Sequence, residues 1–203
     1  EPFRVDLLKR IVNEANVFIC VGEPLKQSVI ELTGTNKEIK VIPNMVKPEF
    51  YYEERQNPKE TFDFISVGRL VEVKRFSFVI DGFVKASRNN PNVRLHIVGD
   101  GPLYNELKQK IAKFGMEDRI IMYGFLSRDK TANLVRKSDA LVAASVLETF
   151  GVPFIEAMAC GKPVIGIKNG PIDNYINETN GILFKKDDLN DLSRSLKFIY
   201  ENK

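Results

Sequence analysis

Along the chain, short apolar runs alternate with stretches in which apolar residues recur every three or four positions, most regularly from residue 61 onward. Residues 62–67 form an apolar run closed by Gly68, and residues 93–98 form a second closed by Gly99. Runs at 119–123, 140–144, 163–167 and 181–184 read as further strands. Between them, 76–86, 103–114, 130–137, 153–160 and 189–201 carry helical spacing. Gly115 serves as a C-terminal cap, while Pro153 and Gly161 bracket the fourth of these helices. Strands that are apolar throughout belong in a parallel sheet covered on both faces. Repeated β–α units of this kind predict an α/β, doubly wound parallel sheet.

Upstream, the pattern predicts a helix over 5–13, a strand over 17–21, a helix over 24–32 and a strand over 39–42. Pro43-Asn44-Met45-Val46-Lys47-Pro48 and a charged, poorly periodic stretch from 49 to 60 follow. Two strands alone make a poor sheet. Residues 1–42 are therefore expected to be the tail of an upstream domain, 43–60 a linker, and 61–203 the main domain. The chain begins at Glu1 within a helical pattern, which points to a region preceding it.

Composition changes this picture little. The 203 residues suffice for one domain plus a fragment of another, and 43% hydrophobic with 28% charged residues is ordinary for a globular protein. A net charge of +3 with mixed signs gives no argument for a nucleic-acid partner, and leaves open a weak attraction to an anionic membrane surface. Cys20 and Cys160 lie in separate apolar stretches, which suits a reducing compartment such as the cytoplasm better than a disulfide framework. No apolar run approaches the roughly 20 residues that span a bilayer.

In a doubly wound sheet, ligands bind beyond the carboxyl ends of the strands. Four segments occupy such ends. The first runs from Gly68 through Arg69 to Lys74. There a guanidinium fork and a point charge could hold a diphosphate, although spacing alone favours a solvated basic loop. The second, Gly99-Asp100-Gly101-Pro102, permits a tight turn, but Tyr104 stands where a dinucleotide fingerprint needs its third glycine. The third runs from Ser145 to Glu156. The amides of Phe150, Gly151 and Val152 suit an anion, while Glu148 and Glu156 suit hydroxyls or play only loop and helix-dipole roles. The fourth, from Lys168 through Asn169-Gly170 to Asp173, reads as a loop ending in a turn. His96 lies inside a strand and reads as a packed residue rather than a base. No cluster of Cys, His and Asp has metal-ligand spacing, so no metal is expected.

Taken in order, these segments resemble the retaining glycosyltransferases of family 4, whose GT-B fold sets two Rossmann-like domains face to face. The resemblance rests on Val41-Ile42-Pro43-Asn44, Ser66-Val67-Gly68-Arg69-Leu70 with Lys74, and Val98-Gly99-Asp100-Gly101-Pro102. It continues through Glu148-Thr149-Phe150-Gly151, Glu156-Ala157-Met158-Ala159, Gly161-Lys162-Pro163-Val164-Ile165 and Asn180-Gly181, and keeps an E-x7-E spacing.

The resemblance implies a C-terminal donor-binding domain that takes a nucleotide-diphosphate-sugar as substrate, with no cofactor and no metal. Arg69 and Lys74 would bind and stabilise the leaving diphosphate. Glu148 would lie against the transferred sugar, Glu156 would hold ribose hydroxyls, and Gly68, Gly101, Thr149, Phe150, Gly151 and Val152 would line the donor. The strand end at Gly124, Phe125 and Leu126 would flank the base. The acceptor, a glycan or lipid-linked sugar, would bind through the N-terminal domain, in the cytoplasm or at the inner membrane face. The fragment alone would bind donor without turnover. Two departures are visible: Asn169-Gly170 replaces the family's Gly-Gly, and Asp173 stands near its frequent Glu. The alternatives are a non-catalytic nucleotide-sugar module and a GT-B epimerase or phosphorylase, and fold alone does not separate them.

Overall fold

The computed structural model describes residues 2–53, 59–168 and 171–202. The chain begins with α1 (Pro2–Glu14), β1 (Phe18–Cys20), α2 (Glu23–Thr33) and β2 (Ile39–Val41). β1 and β2 pair in parallel, and Val12, Cys20, Val29 and Ile39 form a small core of their own. A 3-10 turn at Pro48–Phe50 follows.

The main sheet comprises β3 (Phe62–Val67), β4 (Val93–Val98), β5 (Ile120–Met122), β6 (Ala140–Val142), β7 (Val164–Lys168) and β8 (Gly181–Lys185). All neighbours are parallel, in the order β5-β4-β3-β6-β7-β8. This is the doubly wound arrangement that the apolar runs predict. α3 (Phe76–Ser87), α4 (Tyr104–Lys113) and α7 (Leu189–Glu201) pack on one face, where Phe64, Leu95, Ile97, Phe83 and Leu196 are buried together. α5 (Arg128–Lys137) and α6 (Val152–Ala159) cover the other, around Ile65, Leu141, Val135, Phe154 and Ala157.

Several boundaries differ from the periodicity. β5 and β6 are three residues each, shorter than the apolar runs at 119–123 and 140–144, because pairing with β4 and β3 ends at Met122 and Leu141. α5 begins at Arg128 rather than 130, since Ser127 takes an extended N-cap conformation and its carbonyl already accepts from the Thr131 N–H at 2.9 Å.

Phe50 is 1% exposed and belongs to the α5–α6 core. Its carbonyl accepts the Cys160 thiol at 2.9 Å, and Arg136 donates to the Glu49 carbonyl. The turn at 48–50 is thus fastened to the main domain. Cys160 and Cys20 are both free and lie in different cores. His96 is a packed strand residue, its Nδ1 2.9 Å from the Tyr123 hydroxyl. No described helix is long and apolar enough to cross a membrane.

Candidate functional site

β3 and β6 are neighbours, but the chain proceeds from them toward opposite edges of the sheet. The strand order therefore reverses between their carboxyl ends, which opens a crevice there. Two loops form its floor. Beyond β3, the Gly68 N–H donates to the Val98 carbonyl at 3.0 Å, the Leu70 N–H to Asp100 at 2.9 Å, and the Leu103 N–H to Leu70 at 3.2 Å. The Gly99 N–H reaches the Gly124 carbonyl at 2.9 Å. The exits of β3, β4 and β5 are thus stitched into one layer. Gly99 makes this approach possible: its φ is +144°, and a Cβ there would lie 1.8 Å from the Gly68 carbonyl oxygen. Leu70 is fully buried and pins the loop, which leaves Arg69 exposed, with no ion-pair partner among the described residues.

Lys74 sits in a 3-10 turn over Glu72–Lys74 that ends at Arg75, whose φ is +52°. Its Nζ lies 2.6 Å from Oε1 of Glu148, and the Val146 N–H donates to the Val73 carbonyl at 2.9 Å. These contacts join the β3 and β6 exits across the crevice. The first cation segment and the first glutamate of the E-x7-E pair, distant in sequence, thus come together.

Past Glu148 the chain enters α6 through Gly151, at φ +76° and without a side-chain cap. Among the described residues, the N–H groups of Phe150, Gly151 and Val152 meet no acceptor, so they remain helix-start donors available to an anion. A Cβ on Gly151 would lie 2.6 Å from the Tyr175 hydroxyl. That hydroxyl donates to the Phe150 carbonyl, and the two rings lie 6.2 Å apart. Burial, reinforced by the charge on Glu148, raises the Tyr175 hydroxyl above its ordinary range, which keeps it a donor.

Glu156 lies one turn into α6 and is only 7% exposed. Its Oε1 accepts from Nη2 of Arg128 at 2.7 Å. Burial raises its pKa, and Arg128 opposes that through charge and hydrogen bonding. At the β5 exit, Phe125 is 81% exposed while Leu126 packs partly against the α5–α6 core. Gly101 is half-buried, its N–H 2.7 Å from Oδ1 of Asp100.

Thr149 and Phe150 border an open cavity of about 600 Å³, lined on its other side by Val21, Gly22 and Gln27 of the first unit. Asn169-Gly170 lies outside the described residues, and Asp173 is half-buried in the Pro171–Asn174 turn. Among the described residues no group of three or more His, Cys, Asp or Glu side chains could hold a metal ion.

Two residues of this region escape the sequence reading. Arg128 reads as an ordinary helix-start cation, and Tyr175 lies two positions beyond the fourth segment. Only the fold brings them to Glu156 and Phe150.

A doubly wound parallel sheet with cations, open helix-start amides and two glutamates at its switch point has the architecture of a GT-B half-domain. Residues 48–203 match the family model described as "Glycosyl transferases group 1", and the chain belongs to that family. It is 28% identical over 184 residues to N-acetyl-alpha-D-glucosaminyl L-malate synthase of Bacillus anthracis, covering 87% of this chain and 48% of that protein. It is 31% identical over 196 residues to the uncharacterised glycosyltransferase MJ1178 of Methanocaldococcus jannaschii, covering 96% of this chain and 52% of that protein. The chain thus spans about half the length of these relatives. Among solved structures it superposes on Anabaena Alr3699/HepE in complex with UDP and glucose, with a TM-score of 0.82 and 25% identity, covering 100% of this chain and 60% of that one.

Proposed function

We propose that this chain is the donor-binding part of a retaining glycosyltransferase, which moves a sugar from a nucleotide-diphosphate-sugar to a glycan or glycolipid acceptor. The observation that carries the reading is the switch-point crevice. Arg69 stands exposed at one lip, Lys74 pairs with Glu148 across it, and the open Phe150–Val152 amides face the entry to α6.

Arg69 and Lys74 bind the diphosphate and stabilise the charge that grows on it as the bond from the sugar's anomeric carbon to the phosphate oxygen breaks. The acceptor hydroxyl oxygen bonds to that carbon on the same face, and its proton passes to the departing phosphate. The open amides meet phosphate and sugar oxygens, with Thr149 beside them. Glu148 lies against the transferred sugar, and Glu156 accepts hydrogen bonds from the ribose hydroxyls. Gly68 and Gly101 let backbone approach the nucleotide, and Phe125 and Leu126 flank the base. Two cations and a helix start take the place that a divalent metal would otherwise fill.

Residues 1–42 act in this reading as the end of an acceptor-binding domain, joined by 43–60 to the donor domain 61–203. Two free, buried thiols suit a reducing compartment. We place the reaction in the cytoplasm, with a lipid-linked acceptor meeting the enzyme at the inner membrane face. UDP, held by the Anabaena structure, is the first donor nucleotide to try.

Calorimetric titration with UDP, GDP, ADP and their sugar conjugates, with and without Mg²⁺, tests the reading. Metal-independent binding of one nucleoside diphosphate, weakened by Arg69→Ala, is expected. Failure of all of them to bind removes the donor-binding role from this chain.

A further inference from the structure

We infer that Arg128 is a positioning residue of the donor site: it keeps the buried Glu156 carboxylate ionised and aimed, and thereby sets the site's preference for a ribose over a deoxygenated sugar. The inference rests on the donor-binding reading above and adds a residue that the family motifs quoted for it do not include.

Glu156 has a 10% exposed side chain and needs a compensating cation, since an unpaired buried carboxylate is strongly disfavoured. Among the described residues that cation is Arg128, bonded to Oε1 at 2.7 Å. Ribose hydroxyls are neutral, so they cannot replace it. Arg128 must remain in place while ligand is bound, and the bridge leaves Oε2 without a hydrogen bond among the described residues, ready to accept one from a hydroxyl. A protonated Glu156 would turn one of its oxygens into a donor and lose acceptor strength.

Arg128 is itself fixed from a second side. Its guanidinium carbon lies 5.6 Å from the centroid of the Phe50 ring, and Phe50 is locked by burial and by the Cys160 thiol on its carbonyl. The half-exposed guanidinium thus has a carboxylate on one side and a ring on another, which favours the orientation in which it grips Oε1 of Glu156. Arg128 also opens α5, three residues after the exposed Phe125, which places the grip between the β5 exit and α6. Just past the C-terminal end of α6, the Cys160 thiol is pushed up to about 11 by burial and stays neutral. From α5 the acting charge is Arg128. Among the described residues, no charge on β6, β7 or the Pro48–Phe50 turn shifts Glu156.

The test compares wild type, Arg128→Gln and Arg128→Lys in titrations with UDP, GDP and ADP and with their 2′,3′-dideoxy analogues. Wild type is expected to favour the ribonucleotide about tenfold, on the scale of one charge-assisted hydrogen bond. In Arg128→Gln that preference collapses toward unity while the dideoxy affinity holds, and Arg128→Lys restores part of it. Equal losses for both nucleotides would mean that Arg128 only braces the scaffold, and the inference falls. A ligand-free measurement stands beside it: the ¹³C carboxyl titration of Glu156 should move to higher pH in Arg128→Gln. An unchanged midpoint overturns the inference even where binding changes. Wild type that binds no nucleotide instead overturns the donor reading, and the carboxyl titration still decides whether Arg128 governs Glu156.

Discussion

Lys74 and Glu148 stand 2.6 Å apart, so in the proposed donor reading a diphosphate would compete with a carboxylate for the same ammonium. Two opposite effects follow. Lys74→Ala should weaken nucleoside-diphosphate binding by about 1–3 kcal/mol, the scale of a charge-assisted bond, and unchanged affinity in calorimetry would take Lys74 out of the site. Glu148→Gln removes both the competitor and a nearby like charge, so the same titration should show tighter binding. Weaker binding would mean that Glu148 orients Lys74 rather than competing for it. Both residues are visible in the sequence as candidates. Their pairing is not, because 74 positions separate them and the approach depends on β3 and β6 becoming neighbours. Away from the crevice, Asp63 offers a pH-dependent counterpart. Burial raises its pKa, but the nearby His96 imidazole, whose Nε2 lies 3.7 Å from Oδ1, together with the Lys59 hydrogen bond at 2.7 Å and the Lys59 charge, outweighs it and holds the carboxyl well below the usual range. A depressed carboxylate stabilises the fold above its unfolded pKa of about 3.9, and that contribution fades as pH falls toward the folded value. Urea denaturation should therefore find Asp63→Asn less stable than wild type at pH 7, with the gap narrowing below about pH 4. A gap that stays constant with pH would exclude this linkage.

At the scale of elements, the exits of β3, β4 and β5 act as one layer because their backbones touch, and Gly99 is where the touch is closest. Gly99→Ala puts a Cβ into the Gly68 carbonyl, 1.8 Å away, at a φ of +144° that side chains disfavour. The strain alone is on the order of 1–3 kcal/mol, and the clash adds to it by forcing the Arg69 loop to shift. Lower thermal stability together with weaker nucleotide binding is expected, and an unaltered melting temperature would contradict the close approach. The sequence marks this loop well: β3 and β4 occupy exactly the apolar runs at 62–67 and 93–98. It marks β5 and β6 less well, since the strands end at Met122 and Val142 while the apolar runs continue a residue or two beyond, where Tyr123 and Ala143 each keep a single backbone bond to the neighbouring strand. Nor does periodicity reveal the 48–50 turn, where one aromatic in a charged stretch becomes a core residue only because α5 and α6 close over it.

For the molecule as a whole, the decisive feature is the inequality of its two units. Residues of the six-stranded sheet are covered on both faces by helices and share two large cores. The first unit has a two-stranded sheet and four buried apolar residues, while Leu7, Ile11, Val17, Ile19 and Leu32 remain about half exposed. A cavity of about 600 Å³ lies between Val21–Gln27 and the Thr149–Phe150 entry to α6, so the units meet there across a cleft rather than through a packed interface. Local opening becomes easier where few apolar contacts resist it. Amide hydrogen exchange should therefore be faster across α1, β1, α2 and β2 than across β3, β4 and β7, with the slowest amides in β3 and β4, whose six-residue strands pair along their whole length. Low concentrations of denaturant should widen the difference, because the first unit opens without the sheet. Uniform protection across both units, with a shared denaturant response, would show instead that the cleft is bridged strongly enough to make one cooperative body.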